Sequence, residues 1–340
     1  MYPSNRYTTG IKAIFNRTLP IWLSAVLAVG LLSGCHRSVY DDLTECPQGI
    51  NFAFDILHPD GVEYSEAVKS IRLFVFDAQG RLITEVSDPA VEAFVPDYRM
   101  QSDLYRPGET LTFVAWAGAD LASYDFEGFT VGTSIREMTL SLAKQAGQIK
   151  AEAAPLFVSH HRVTLTQAER IGTYYDPVQI DLVQLTNHID LIVEGFAEGV
   201  QPAIRFRAQN SRYGADGALL PDTPFEYIHS FVETAEGKRG GAIHAVFDIL
   251  KLDPELDYPI EIYDEVTGDT LYSFDLLKDY ILYNGPFAQG DRGYTLERNH
   301  KFDILIRLQK GADDLSGDTY VAVMARILGW NIVFRHTSLG

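Results

Sequence analysis

Along most of this chain apolar residues alternate with polar ones, and that spacing restricts what it can fold into. In Val178-Gln179-Ile180-Asp181-Leu182 the odd-numbered partners of a two-residue period are missing from the apolar set. A strand sends successive side chains to opposite faces, so such a segment has one dry face and one wet face. Ile189, Leu191 and Val193 repeat the pattern with Asp190 outward, and Phe302, Ile304, Ile306 and Leu308 alternate with Lys301, Asp303, Arg307 and Gln309. Ser70–Asp77 is apolar on both faces, as in the middle strand of a sandwich, and Asp77-Ala78-Gln79-Gly80 then reads as a turn. Leu111–Trp116 is a further strand. Ile260–Tyr263, a turn at Thr267-Gly268-Asp269, and Leu271–Phe274 read as a hairpin. Strands recur with Gly, Pro and Asp between them and without the spacing of crossover helices. An all-β fold of antiparallel sandwiches is predicted, with Phe113, Ile180, Ile304 and Ile306 buried. The thin helical signal falls at Thr133–Ala143, Thr166–Arg170 and Phe274–Leu282, all read as connections.

The N-terminus has a different character. Arg6, Lys12 and Arg17 precede an apolar stretch from Leu19 to Leu32, which closes on Leu32-Ser33-Gly34-Cys35. A cationic start, a short apolar run and a small-residue cleavage site make a secretory signal, too short and too poorly flanked for a stable membrane span. The ending resembles the bacterial lipobox, in which the cysteine is acylated and the chain is cut before it. Cys35 is therefore the expected lipidation site. Each buried CH₂ contributes about 0.8 kcal/mol, so several acyl chains hold far more firmly than one. An ordinary signal peptide with an incidental cysteine, or a true transmembrane anchor, are the competing readings. Residues 1–34 are set aside as the lipoprotein signal peptide and 35–45 as a lipidated tether.

The chain carries 46 acidic and 28 basic residues, a net charge of −18. The leader holds three basic residues and no acid, so its removal takes the net charge from −18 to −21 and leaves 306 residues. Such a body repels nucleic acid and anionic lipid, which leaves membrane attachment to the acyl chains. Its length suits two ordinary domains. With Cys35 as a thioether, Cys46 has no partner within the chain, so no internal disulfide framework exists. Cys46 is either a small buried apolar residue or a free thiol that pairs between chains. Thr166–Pro177, containing Tyr174-Tyr175-Asp176-Pro177, is a polar connection between two strand-rich halves. The boundary falls near Leu185-Thr186-Asn187, giving an N-terminal sandwich over 46–185 and a C-terminal one over 186–340.

Chemistry is harder to find. No G-x-S-x-G, H-E-x-x-H, C-x-x-C or phosphate-cradling glycine loop occurs. His160 and His161 are adjacent, so on a strand they face opposite ways. Asp264–Asp269 lacks the register and closing Glu of a calcium loop and reads as a solvated hairpin tip. Trp116 and Trp330 read as core, while Tyr174 and Tyr175 are better candidates for an exposed aromatic pair. The expectation is no catalytic residue, no cofactor, no metal and no small-molecule substrate.

A family resemblance emerges from ordered fragments. Tyr40-Asp41-Asp42-Leu43-Thr44-Glu45-Cys46-Pro47-Gln48-Gly49-Ile50, just after the lipobox, resembles the opening of the FimB-type fimbrial anchor lipoproteins of Bacteroidetes. Arg72–Gly80, Pro107-Gly108 before Leu111–Gly118, Leu156–His160, Val178–Leu191, Leu296–Ile304 and Ile327–Trp330 follow in the family's order. Two positions depart from its pattern: Gln184 stands where Arg is usual, and the usual Asn before Gly329-Trp330 is absent. The resemblance implies two tandem transthyretin-like antiparallel β-sandwich domains. It also implies a lipid-anchored, surface-facing outer-membrane protein that attaches a fimbrium, ends its growth and so limits its length. The acids Asp41, Asp42 and Glu45 resemble the acidic cluster that can direct such lipoproteins to the surface, but they lie further along than usual and lack its lysine. The implied partner is a fimbrial subunit, and strand addition at a sheet edge is a suitable mode of contact. The C-terminal strand, with Ile327, Trp330, Ile332 and Phe334, is the candidate contact. A surface glycan- or peptide-binding lipoprotein or adhesin is the alternative function, and an enzyme a third.

Overall fold

The computed structural model describes residues 46–59, 62–104, 106–149, 153–166, 172–228, 230–231, 241–290, 293–311 and 320–334. Two compact units emerge: Met1–Gln48 with Glu169–Tyr175, and Gly49–Ala168 with Asp176–Gly340. In the first, the Tyr174 N–H donates to the Pro47 carbonyl at 3.1 Å and Gln48 Nε2 to the Gly172 carbonyl at 3.2 Å. The second unit contains the sandwiches.

The first half of the chain runs β1 (Gln48–Ile56), α1 (Tyr64–Ala67), β2 (Ser70–Phe76), β3 (Leu82–Asp88), β4 (Tyr98–Ser102), β5 (Thr110–Gly118), β6 (Tyr124–Glu127), β7 (Thr139–Leu142), β8 (Gln148–Ile149), β9 (Leu156–Thr164) and β10 (Tyr174–Gln184), the first residue of β1 and the first two of β10 belonging to the first unit. The second half runs β11 (Thr186–Glu194), β12 (Pro202–Ala208), β13 (Arg212–Gly214), β14 (Phe225–Tyr227), β15 (Ser230–Phe231), β16 (Ala242–Leu250), β17 (Pro259–Asp264), β18 (Thr270–Asp275), α2 (Gly285–Ala288), β19 (Lys301–Lys310), β20 (Tyr320–Ile327) and β21 (Trp330–Val333). The all-β sandwich architecture read from the alternation is the one the structure adopts.

The first sheet has the order β3-β2-β5-β9-β10-β1-β4. β9 and β10 meet in register only at Val183 with Val158 and Gln184 with Phe157, and there the sheet folds over. Ile50, Phe52 and Phe54 of β1 and Val178, Ile180 and Leu182 of β10 then pack on Ile71, Leu73, Val75 and Phe113. Phe52 meets Phe113 edge-on at 5.2 Å. The doubly apolar β2 has its reason here. Ile71, Leu73 and Val75 face this core, while Phe74 and Phe76 face a second core on the other side.

That second core continues through the C-terminal half. A six-stranded sheet, β15-β16-β11-β19-β20-β21, packs on a five-stranded one, β18-β17-β12-β14-β8. Ile189, Leu191, Phe247, Ile304 and Ile306 meet Ile204, Phe206 and Ile260 between them. Phe206 sits edge-on to Phe247 at 5.1 Å. Phe113, Ile180, Ile304 and Ile306 are all buried. Two pairings are parallel, β11 with β19 and β14 with β8, and the other pairings with a described register are antiparallel. β11 lies between β19, its parallel neighbour, and β16, its antiparallel one.

The halves meet at Leu185. Its N–H donates to the Leu156 carbonyl at 2.7 Å, and its own carbonyl accepts from the Lys251 N–H at 2.9 Å. The chain thus leaves the first sheet and enters the six-stranded one across a single residue.

The helical expectations need correction. Within Thr133–Ala143 only Ile135–Glu137 is helical, as a 3₁₀ turn, and Thr139–Leu142 is a strand because Leu140 and Leu142 alternate into the core. Of Thr166–Arg170 only Thr166 is described, and it is not helical. Leu276–Ile281, inside Phe274–Leu282, is a π-helical turn with four buried side chains. Tyr174 and Tyr175 open β10 rather than lie in a loop, and both are half-buried.

Candidate functional site: an open sheet edge

The candidate contact residues lie at the end of the six-stranded sheet. Leu328 and Gly329 both have positive φ, 50° and 81°, which makes the β20–β21 connection a two-residue type I′ turn. The register pairs Ile327 with Trp330, Arg326 with Asn331, Ala325 with Ile332 and Met324 with Val333. In such a hairpin the residues flanking the loop exchange both backbone hydrogen bonds, and bonded and non-bonded pairs then alternate. Trp330 and Ile332 therefore bond to β20. The Phe334 N–H continues the series by donating to the Val323 carbonyl at 3.1 Å. The N–H and C=O groups of Asn331 and Val333 point the other way, off the end of the sheet.

Side chains follow a different division. Ile327 is wholly buried in the core. Ile332 and Phe334 pack partly against it, and the Phe334 ring meets Tyr280 at 5.9 Å, nearly perpendicular. Trp330 is 41% exposed, not core, and among the described residues β21 is the last strand of its sheet. It rests over Gly285 at the start of α2, where a glycine Cβ position would lie 3.6 Å from Trp330 Cβ. Val333 is 71% exposed. The four candidates are thus brought to one edge, but the backbone groups without a strand partner among the described residues belong to Asn331 and Val333. Sequence alone missed these two. Counting outward from a two-residue loop at Leu328-Gly329 would have found them.

Edge strands invite pairing, and native proteins blunt them with charge, bulges, shortness or a covering loop. β3 carries Glu85 and Asp88, and its first residue is covered by backbone bonds from Gly132 and to Thr133. β4 carries Arg99, and β18 carries Asp275. β6 carries Asp125 and Glu127, and β13 carries Arg212. β8 and β15 have two residues each. β21, Trp-Asn-Ile-Val, is the edge strand of three or more residues without a charge among the described residues.

Other candidates carry less. Trp116 is buried and its Nε1 donates to the Ala215 carbonyl at 3.0 Å, which makes it core. His160 and His161 are exposed beside Val114 and Phe113, which face different cores. In the hairpin tip Asp264 Oδ1 accepts from the Val266 N–H at 2.9 Å, an ordinary turn contact. No group of three His, Cys, Asp or Glu side chains is placed to share a metal among the described residues. Cys46 is half-buried and forms no disulfide among the described residues. Cys35 lies outside them, and no described helix is long and apolar enough to cross a membrane.

The described residues thus form stacked β-sheets, the six-stranded one ending on the uncharged strand β21. The family model of fimbrillin-A associated anchor proteins Mfa1 and Mfa2 matches residues 43–336, and the chain belongs to this family. The minor fimbrium anchoring subunit Mfa2 of Porphyromonas gingivalis is 25% identical over 329 residues, covering 93% of this chain and 95% of the relative. The solved structure of the fimbrial anchor protein Mfa2 from Porphyromonas gingivalis superposes with a TM-score of 0.69 at 20% identity, over 85% of this chain and 99% of that one. A candidate adhesin from Bacteroides thetaiotaomicron gives 0.65 at 17% identity, over 86% and 100%. At these identities the solved structures show the fold alone. The family is one of fimbrial anchor proteins, a structural class rather than a catalytic one.

Proposed function

We propose that this protein is the lipid-held base of a fimbrium, joined to the outer membrane through acyl chains on Cys35 and exposed at the cell surface. It would hold the fibre to the cell and end its growth. The observation that carries this reading is the family match over residues 43–336. The leader ending Leu32-Ser33-Gly34-Cys35 supports it chemically. A subunit whose own N-terminus is buried in lipid cannot be passed up a fibre, so it serves as the base. The reading keeps 35–45 as the tether, with 46–185 and 186–340 carrying one sandwich each.

The partner is a fimbrial subunit, received at the β21 edge. Strand addition gains backbone hydrogen bonds along an unpaired edge and specificity from alternate side chains. Here the bonds come from Asn331 and Val333, and Trp330 supplies an exposed aromatic beside them. No cofactor, metal or small-molecule substrate enters this role.

Deletion of the protein followed by electron microscopy of cells and culture medium tests it. Long fimbriae shed into the medium are expected, with restoration by the wild-type chain and not by Cys35→Ala. Cell-attached fimbriae of normal length in the deletion strain would refute the anchor role.

A further inference from the structure

The two sandwiches exchange strands. β8 (Gln148–Ile149) belongs to the first half by sequence, yet it pairs in parallel with β14 and closes the five-stranded sheet of the second half. β13 (Arg212–Gly214) belongs to the second half, yet it pairs with β7 in a sheet with β6 of the first. Each excursion is secured by further backbone bonds. The Glu226 N–H donates to the Gly147 carbonyl and the Ile228 N–H to the Ile149 carbonyl, both at 3.0 Å. The Leu142 N–H donates to the Ser211 carbonyl at 3.1 Å and the Ala215 N–H to the Met138 carbonyl at 3.2 Å.

Side chains reinforce the exchange. Trp116 reaches across to the Ala215 carbonyl. Lys144 Nζ lies 2.6 and 2.7 Å from the Asp222 carboxylate oxygens and 4.6 Å over the Phe225 ring. Gly217, at φ 80°, passes so close to Val158 that a Cβ there would lie 2.7 Å from its Cγ1. One continuous core runs from Phe74, Val114 and Trp116 in the first half to Phe247, Ile260 and Ile304 in the second.

We infer that the two sandwiches fold, open and bear tension as one cooperative unit, with the reciprocal strand exchange as the lock between them. Neither half can complete its sheets alone: without β13 the three-stranded sheet loses an edge, and without β8 the five-stranded sheet loses one. Opening either half exposes the core face it shares with the other. A body of this kind transmits force without stretching at a hinge. The inference stands whether or not the chain is an anchor, because it concerns the fold and not the partner.

Native-state hydrogen exchange across a urea series, followed by mass spectrometry, tests it on the mature chain of residues 35–340. Peptides from β5 report the first sandwich and peptides from β19 the second. A single shared midpoint is expected. Two midpoints in the wild-type chain would overturn the inference. The variants Ile180→Val and Ile306→Val then make the test reciprocal. Ile180 lies in the core that only the first half lines, and Ile306 in the second sandwich. Each side chain is fully buried, so each truncation lowers stability without abolishing folding. Coupled halves shift both midpoints equally in either variant. A shift confined to the mutated half would overturn the lock, even where the wild-type midpoints coincide.

Discussion

Removal of the Asp222 carboxylate should loosen the junction more than removal of its cation. Asp222 is only 4% exposed in its side chain, whereas Lys144 is 22% exposed. The carboxylate accepts from Lys144 Nζ, from the Ser211 N–H at 3.2 Å, from the Ser211 hydroxyl and from the Thr223 N–H at 2.8 Å. Asp222→Ala orphans all of these donors, two of them on the fully buried Ser211. Breaking a buried pair costs about 3–5 kcal/mol, and each unsatisfied buried donor about 1–3 kcal/mol. Lys144 can turn toward water, which offsets part of that, so a net loss of about 4 kcal/mol is expected. Lys144→Ala leaves the carboxylate with three donors, and about 2 kcal/mol is expected. Urea unfolding of the mature chain measures both. Equal losses, or a larger loss for Lys144→Ala, would refute the reasoning.

Acid adds a second test. Burial alone would raise the Asp222 pKa, but the hydrogen bonds from Lys144 and Ser211 outweigh it and hold the carboxyl below its usual range. A depressed folded pKa means stability that is present above about pH 3.9 and lost as pH falls through the lowered value. Asp222→Asn should flatten that segment of the pH–stability curve. His300 must be kept apart from it. Burial, aided by Lys251, pushes its pKa down to about 4, so its contribution erodes earlier, as pH falls from about 6.5 toward that value.

Three further outcomes are expected. Ala146 has φ 53° in the exposed turn Gln145-Ala146-Gly147-Gln148, where an L-residue other than Asn or Asp is strained; Ala146→Asn should stabilise the chain by about 1 kcal/mol, read by thermal unfolding. Asn331→Pro removes a donor from the outer edge of β21 and should weaken fimbrial attachment with little change in melting temperature, whereas Ile332→Pro breaks a bond to β20 and should destabilise the hairpin itself, so equal melting temperatures for the two variants would contradict the assigned alternation. Cys35→Ala should move the protein from the membrane fraction to the soluble one, and undiminished retention of the folded variant would rule out lipidation at that residue.

Much of this fold was legible because burial follows a simple period. Val178, Ile180 and Leu182 alternate without exception, and so do Ile189, Leu191 and Val193, so their faces could be assigned outright. Ser70–Asp77 even declared its two cores through apolar residues on both faces. Short elements were a different matter. β8 has two residues and β13 three, too few to show any period, so the strand exchange left no trace in the pattern. Ile135, Met138 and Leu142 stand at helical spacing, which disguised the four-residue strand that ends there. Trp330 sits in an alternating segment like any core aromatic, and its exposure follows from the strand's place at the end of a sheet, a tertiary fact. Which backbone groups face off that edge depends on the Leu328-Gly329 loop, so proline at Ile332 or Phe334, natural choices from sequence, would strike bonds to β20 instead.

The passage of the chain through Leu185 has an evolutionary consequence. One residue there serves two sheets at once, its N–H fixed in one and its carbonyl in the other. An inserted residue would shift β10 or β11 by one place and turn a whole apolar row toward water. Homologous chains should therefore keep their length at this point even where their sequences drift. Growth and loss of residues should collect instead at places such as the solvated tip Val266-Thr267-Gly268, where no strand has to keep count.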